Sequence, residues 1–244
     1  MNWKAAAPLF RGWNKPMIFA ALQGCMGRVV TRGGEPPRSA RLEVGDFAFF
    51  AGEPDRELAR EAAAPILVPQ NEAWAELLGR VWGDHRISPW TRYAMGQEPD
   101  GFDRDRLARY AAALPDDCRL VPLDGELYRQ AMAGDWSRDL CALFDGEADY
   151  LRRGFGMAVL LDGRLAAGAS SYAVCRDGIE IEIDTRPDCR RQGLALACGA
   201  GLILECLSRG IFPGWDAHDL RSAALAQKLG YRMEGPYPVF LRIG

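Results

Sequence analysis

The sequence predicts an α/β protein of the α+β kind: a central, mostly antiparallel mixed sheet flanked by helices, preceded by a smaller α/β extension. Three observations predict it. Two apolar runs, 156–161 and 164–175, are joined by Asp162-Gly163, a strong two-residue hairpin signal. Residues 179–185 alternate strictly, with isoleucines on one face and Glu180, Glu182 and Asp184 on the other, the period of a half-buried strand. A long apolar run suited to a helix, 191–208, follows directly.

In the first part of the chain, 1–115, residues 28–31 and 46–51 read as strands separated by a Gly/Pro-rich loop at 33–37. Residues 72–82 carry Trp74, Leu77, Leu78 and Val81 at helical spacing. Residues 98–103 read as a loop, and the charges of 103–109 as a solvated helix face. From residue 116 the pattern changes. A strand at 118–121 leads into helices at 123–132 and 137–144, and then into the hairpin. A turn at 176–178 precedes the alternating strand and the long helix. A short strand at 211–215, a helix at 222–229 and one or two last strands within 231–242 complete the order β-α-α-β-β-β-α-β-α-β. Two regions are therefore expected: 1–115, shaping the acceptor pocket, and 116–244, carrying the chemistry.

The bulk properties exclude several classes. A chain of 244 residues with 48% hydrophobic and 26% charged residues has an ordinary globular composition. A net charge of −3 argues against a nucleic-acid partner, which calls for a basic surface. No apolar run reaches membrane-spanning length, so no membrane partner is expected. Residues 16–26 are apolar behind Lys15, but the run is short and Gln23 is polar where an export signal needs a small residue. Seven cysteines without a CxxC pair, and only two histidines, leave no zinc pattern and no disulfide framework. No metal is expected, and reduced thiols suit a cytoplasmic location. His85, between Asp84 and Ser88, makes a poor triad, because adjacent residues rarely converge.

The informative segment is Thr185-Arg186-Pro187-Asp188-Cys189-Arg190-Arg191-Gln192-Gly193-Leu194-Ala195. A strand enters a Pro-containing turn and then a helix. Backbone N–H groups at a helix start are unbonded, and the helix dipole favours an anion there. Gly193 lets a phosphate approach the main chain, Ala195 keeps the next turn clear, and Arg190 and Arg191 add charge. No GxxxxGK[ST] or GxGxxG is present.

This segment resembles the pyrophosphate loop of the GNAT acyltransferase superfamily, Q/R-x-x-G-x-G/A, with Ile183-Asp184-Thr185 as the strand leading in. Asp219-Leu220-Arg221-Ser222-Ala223-Ala224-Leu225-Ala226-Gln227-Lys228-Leu229-Gly230-Tyr231 resembles the family's later helix signature. Gly45-Asp46-Phe47-Ala48-Phe49-Phe50-Ala51-Gly52-Glu53-Pro54 is similar to a bacterial subfamily, which extends the likeness over nearly the whole chain. The resemblance implies acetyl transfer from acetyl-CoA to an amine. It places the coenzyme on Ile183, Asp184, Thr185, Arg190, Arg191, Gln192, Gly193, Leu194, Ala195, Asp219 and Ser222, with a main-chain N–H near Thr185 or Ile183 polarising the thioester. Two positions depart from the pattern: Asp219 replaces an Asn, and Ala226 replaces the Tyr that often protonates the thiolate.

A neutral amine is needed for attack, so a base must take its proton. Glu182, then Glu180, are the expected bases, with binding of a cationic substrate, or a place on a solvated face, as the alternatives. His218 is a third candidate, as acid or base or as a plain loop residue. Asp219 can cap a helix or bind substrate. The expected partner is a small-molecule amine, with homodimerisation left open. A non-catalytic acyl-CoA sensor and a protein-modifying acetyltransferase are the alternatives.

Overall fold

The computed structural model describes residues 3–96 and 98–243. In chain order the elements are α1 (Trp3–Ala6), α2 (Pro16–Leu22), β1 (Arg28–Arg32), β2 (Ser39–Val44), β3 (Phe47–Gly52), α3 (Arg56–Arg60), β4 (Ile66–Pro69), α4 (Glu72–Trp82), β5 (Ile87–Gly96), α5 (Arg104–Ala112) and β6 (Cys118–Pro122). They continue as α6 (Gly125–Ala133), α7 (Glu147–Arg153), β7 (Gly156–Leu161), β8 (Arg164–Val174), β9 (Gly178–Thr185), α8 (Leu194–Arg209), β10 (Phe212–Gly214), β11 (Asp216–Ala217), α9 (Leu220–Leu229) and β12 (Arg232–Arg242). The chain divides into two compact units, Met1–Tyr93 with Gly235–Gly244, and Ala94–Glu234.

The first unit holds a mixed sheet in the order β1-β2-β3-β4-β12-β5. β1, β2 and β3 form an antiparallel meander, and α3 provides the crossover that makes β4 parallel to β3. Asn71 caps α4 by accepting from the Trp74 N–H at 3.1 Å, and Trp74, Leu78, Phe50, Leu58 and Leu67 meet in the core. Ser39–Val44 forms β2, with Ala40, Leu42 and Val44 alternating with Arg41 and Glu43 at the strand period. Arg41 and Glu43 are both buried there, paired at 3.1 Å, and each also bonds a backbone group. The apolar run at 16–26 supplies α2, whose Met17, Ile18, Ala20 and Ala21 are buried in this unit.

The second unit holds a five-stranded sheet in the order β10-β9-β8-β7-β6, antiparallel except for the β10–β9 pair. The hairpin turn forms as its dipeptide predicts, with Asp162 at φ 50° and Gly163 at φ 76°. α8 covers one face: Cys198, Leu202 and Cys206 pack with Val159, Ala167, Ala169 and Ile179, and Ile181 and Ile183 border this cluster. Gly168 alternates with Ala167 and Ala169 and therefore faces the other way, where a Cβ would lie 2.6 Å from Leu140. The short 3-10 turn Arg138–Leu140 thus sits on the face opposite α8. Leu107 of α5 is fully buried, so the charged stretch at 103–109 is solvated on one side only.

Three expectations change. The helix expected at 191–208 begins at Leu194, because Arg191 at φ 64° and Gly193 at φ 83° are both left-handed and cannot be helical. The helix expected at 123–132 begins at Gly125, where the Asp124 side chain accepts from the Leu127 N–H. The helix expected at 137–144 is only the 3-10 turn, and the full helix lies later, at α7. Ser137 closes the end of α6 by donating to the Ala131 carbonyl, and Gly146 at φ 119° opens α7.

Candidate functional site

The site is built where β9 outruns its neighbour. β10 pairs with β9 only over Phe212–Gly214 against Gly178–Glu180, whereas β9 continues to Thr185 and stays paired with β8 on its other edge. Residues 181–185 are accordingly half-exposed, in contrast to the buried Gly178, Ile179 and Glu180. The direction of the main-chain groups follows from one bond. The Arg186 N–H donates to Ala166 of β8 at 2.9 Å, so the N–H groups of Ile183 and Thr185 point to the opposite, open edge. The Ile183 N–H is instead accepted by Glu182 Oε1 at 3.3 Å. The Thr185 N–H, on the same edge, favours the ionised form of Asp184.

The turn after β9 is held in shape by Arg186. Its guanidinium donates to Asp188 at 2.7 Å, to the Leu165 carbonyl at 3.3 Å and to Cys189 Sγ at 3.1 Å. Arg190 folds back to donate to the Thr185 carbonyl at 3.3 Å. Arg191, Gln192 and Gly193 are exposed, and Gly193 is the N-cap of α8 with no side chain capping the helix. The N–H groups of the first helical turn, at Leu194, Ala195 and Leu196, precede the first helical bond, from Ala197 to the Gly193 carbonyl. A Cβ built on Gly193 would meet nothing within 4 Å, so the approach to this helix end is open. Leu194 itself is buried and anchors the helix, while Ala195 is half-exposed.

Glu180, Glu182 and Asp184 share the face turned away from α8. Glu180 is only 4% exposed and lies near the buried Tyr231, whereas Glu182 and Asp184 are half-buried. Burial raises the Asp184 carboxyl to about 6; Asp139 adds to the rise, and the Thr185 N–H and Arg190 oppose it. His218 is exposed in the link between β11 and α9. Asp219 caps α9 by accepting from the Arg221 and Ser222 N–H groups, each at 2.9 Å, and it pairs with the Arg221 guanidinium at 2.8 Å. Ser222 Oγ accepts from Trp215 Nε1 at 3.1 Å, tying α9 to the end of β10. Ala226 is fully buried, so the helix position where the family carries a phenol lies inside the packing here. Tyr231 is also buried, its ring tilted against that of Trp215 and its hydroxyl donating to the Pro213 carbonyl at 2.7 Å.

The strand and the turn bring Glu182, Ile183, Asp184, Thr185 and Gly193 into one continuous segment. Two participants escaped the sequence reading. Asp139 reaches Asp184 only through the fold, and Arg186 braces the turn through contacts that no spacing in the sequence reveals. Among the described residues, no group of three or more His, Cys, Asp or Glu side chains is arranged to hold a metal, and no helix is long and apolar enough to cross a membrane. All seven cysteines are free thiols.

Comparison with known proteins gives a consistent result. The family model described as GNAT acetyltransferase matches residues 7–240. The crystal structure of a GCN5-related N-acetyltransferase-like protein from Streptococcus suis 89/1591 is 40% identical, with a TM-score of 0.93 over 99% of this chain and 98% of that one. A GCN5-related N-acetyltransferase from Kribbella flavida shares the fold at 19% identity, with a TM-score of 0.58 over 89% of each chain. The curated protein "Uncharacterized N-acetyltransferase YdfB" of Bacillus subtilis (strain 168) is 24% identical over 197 residues, 80% of this chain and 72% of that protein. With a match that spans both units, this chain belongs to the GNAT acetyltransferase family and is an acetyltransferase.

Proposed function

We propose that this enzyme transfers an acetyl group from acetyl-CoA to the amine of a small molecule, with the reaction carried by residues 116–244. The observation that supports this most is the uncapped start of α8 beside the open edge of β9. The diphosphate of the coenzyme meets the N–H groups at Gly193, Leu194 and Ala195, with Arg190, Arg191 and Gln192 at the rim. The pantetheine arm runs along the half-exposed stretch Ile183–Thr185, whose edge-directed N–H groups match its amide and thioester carbonyls. Asp219 and Ser222 set the start of α9 on the far side of β10.

Glu182 is the proton acceptor in this reading, because Glu180 on the same face is almost sealed from solvent. The ammonium of the acceptor gives its proton to the Glu182 carboxylate. The neutral amine attacks the thioester carbon, the C–N bond forms, and the carbonyl oxygen takes up charge against the Ile183 N–H. The C–S bond then breaks, the nitrogen sheds its second proton, and water relays that proton to the departing thiolate, leaving the amide, the free thiol and a protonated Glu182. His218, exposed at the head of α9, is the other titratable candidate for proton transfer. A cytoplasmic location, where thiols stay reduced, belongs to this reading.

The test is release of coenzyme A thiol from acetyl-CoA across a panel of small amines. Release that depends on one class of amine supports the assignment. Tight acetyl-CoA binding without release for any amine would favour the second reading, a sensor, for which the buried Ala226 speaks.

A further inference from the structure

The carboxylate of Glu182 accepts from the N–H of the very next residue, Ile183, at 3.3 Å. That N–H is directed to the β9 edge that β10 leaves uncovered, since β10 pairs only as far as Glu180 and the Arg186 N–H fixes the opposite parity toward β8. One strand period further, the Thr185 N–H favours the ionised carboxylate of Asp184. The Ile183 edge donor is thus occupied by the acidic side chain that precedes it. An exposed strand edge carries an unpaired donor row, and a local carboxylate is a stronger acceptor than water.

We propose that Glu182 masks the Ile183 N–H in the free enzyme, and that the thioester carbonyl displaces the carboxylate, freeing it to accept the proton of the amine. This inference rests on the proposed function and adds a role for Glu182 before chemistry. The exchange conserves hydrogen bonds: the N–H passes from carboxylate to carbonyl, and the carboxylate passes from the N–H to the ammonium. A thioester carbonyl is the weaker acceptor, so the mask lowers affinity for acetyl-CoA in the absence of amine. It lowers affinity for free coenzyme A less, because that molecule has no acyl carbonyl to place on Ile183.

The experiment is calorimetric titration of acetyl-CoA and of coenzyme A into the full-length wild type, Glu182→Ala and Glu182→Gln, with turnover measured in parallel. The expected result is acetyl-CoA binding roughly threefold to tenfold tighter in Glu182→Ala, a smaller gain in Glu182→Gln, and little gain for coenzyme A. Turnover falls about a hundredfold in both variants. In the ligand-free protein, the Ile183 amide proton resonance shifts in Glu182→Ala. Unchanged acetyl-CoA affinity with the same loss of turnover would overturn the mask while leaving Glu182 as base. An equal gain for both ligands would also overturn it, since that reports only removal of a negative charge. Wild-type enzyme that binds neither ligand would sink the proposed function itself, and the mask with it.

Discussion

At the residue scale, two backbone conformations set the turn that leads into α8. Arg191 is left-handed at φ 64°, a region that costs a side-chain-bearing residue about 1–2 kcal/mol. Arg191→Gly removes that strain at the price of a more flexible unfolded chain. The expected net gain is about 0.5–1 kcal/mol, read as a higher unfolding midpoint in urea at unchanged slope. The same change removes a charge from the rim of the proposed diphosphate site, so acetyl-CoA affinity should fall as stability rises. Asp184 gives a pH prediction. Its carboxyl is raised from the ordinary value to about 6, so the folded state holds this proton more tightly than the unfolded chain. The group therefore lowers stability progressively as pH rises from about 4 to about 6, and the cost is fully present above that window. Asp184→Asn should raise the melting temperature at pH 7.5 by roughly 2–4 °C and change it little at pH 4.5. Scanning calorimetry at the two values checks this; an equal shift at both would contradict it. Gly193 and the carboxylates of 179–185 were legible in the sequence, because a turn–Gly–helix junction and a period-two strand are local patterns. Asp139 was not, because its effect on Asp184 exists only once the 3-10 turn is laid against the sheet.

At the element scale, α8 packs close because it lacks side chains at two points. A Cβ on Gly201 would lie 2.9 Å from Leu120 of β6, and one on Gly199 would lie 2.8 Å from Leu229 of α9. Gly201→Val forces a branched group between α8 and the sheet and should cost about 1–3 kcal/mol, seen as a lower urea midpoint. Ala226→Tyr, which would restore the phenol of the family signature, buries a large ring at a position that is 0% exposed. It should destabilise by a similar margin and leave turnover no higher. Most strands of the second unit could be placed from the sequence, since hairpin dipeptides and alternation mark their ends. β2 of the first unit carries the same alternation, but the burial of its charged face was not legible, because Arg41 and Glu43 find their partners only in the fold. The start of α8 was misplaced by three residues, because apolar periodicity says nothing about the two left-handed residues that precede it.

At the scale of the whole molecule, the fold class followed from element order, and the family match over residues 7–240 agrees with it. The proposed coenzyme site could be anticipated further than the acceptor, because that proposal draws on main-chain groups of one short segment, whereas no short motif in the sequence points to an acceptor site. The central claim is that main-chain groups at the head of α8 hold the diphosphate of acetyl-CoA. Titration calorimetry of acetyl-CoA into the wild type and into Gly193→Ala tests it most directly. A methyl group there meets no protein atom, so the substitution adds backbone strain at φ 83° and obstructs only what approaches from outside. The predicted result is a folded variant whose affinity for acetyl-CoA is weaker by about tenfold or more, ~1.4 kcal/mol. Equal affinity in the two proteins would contradict it.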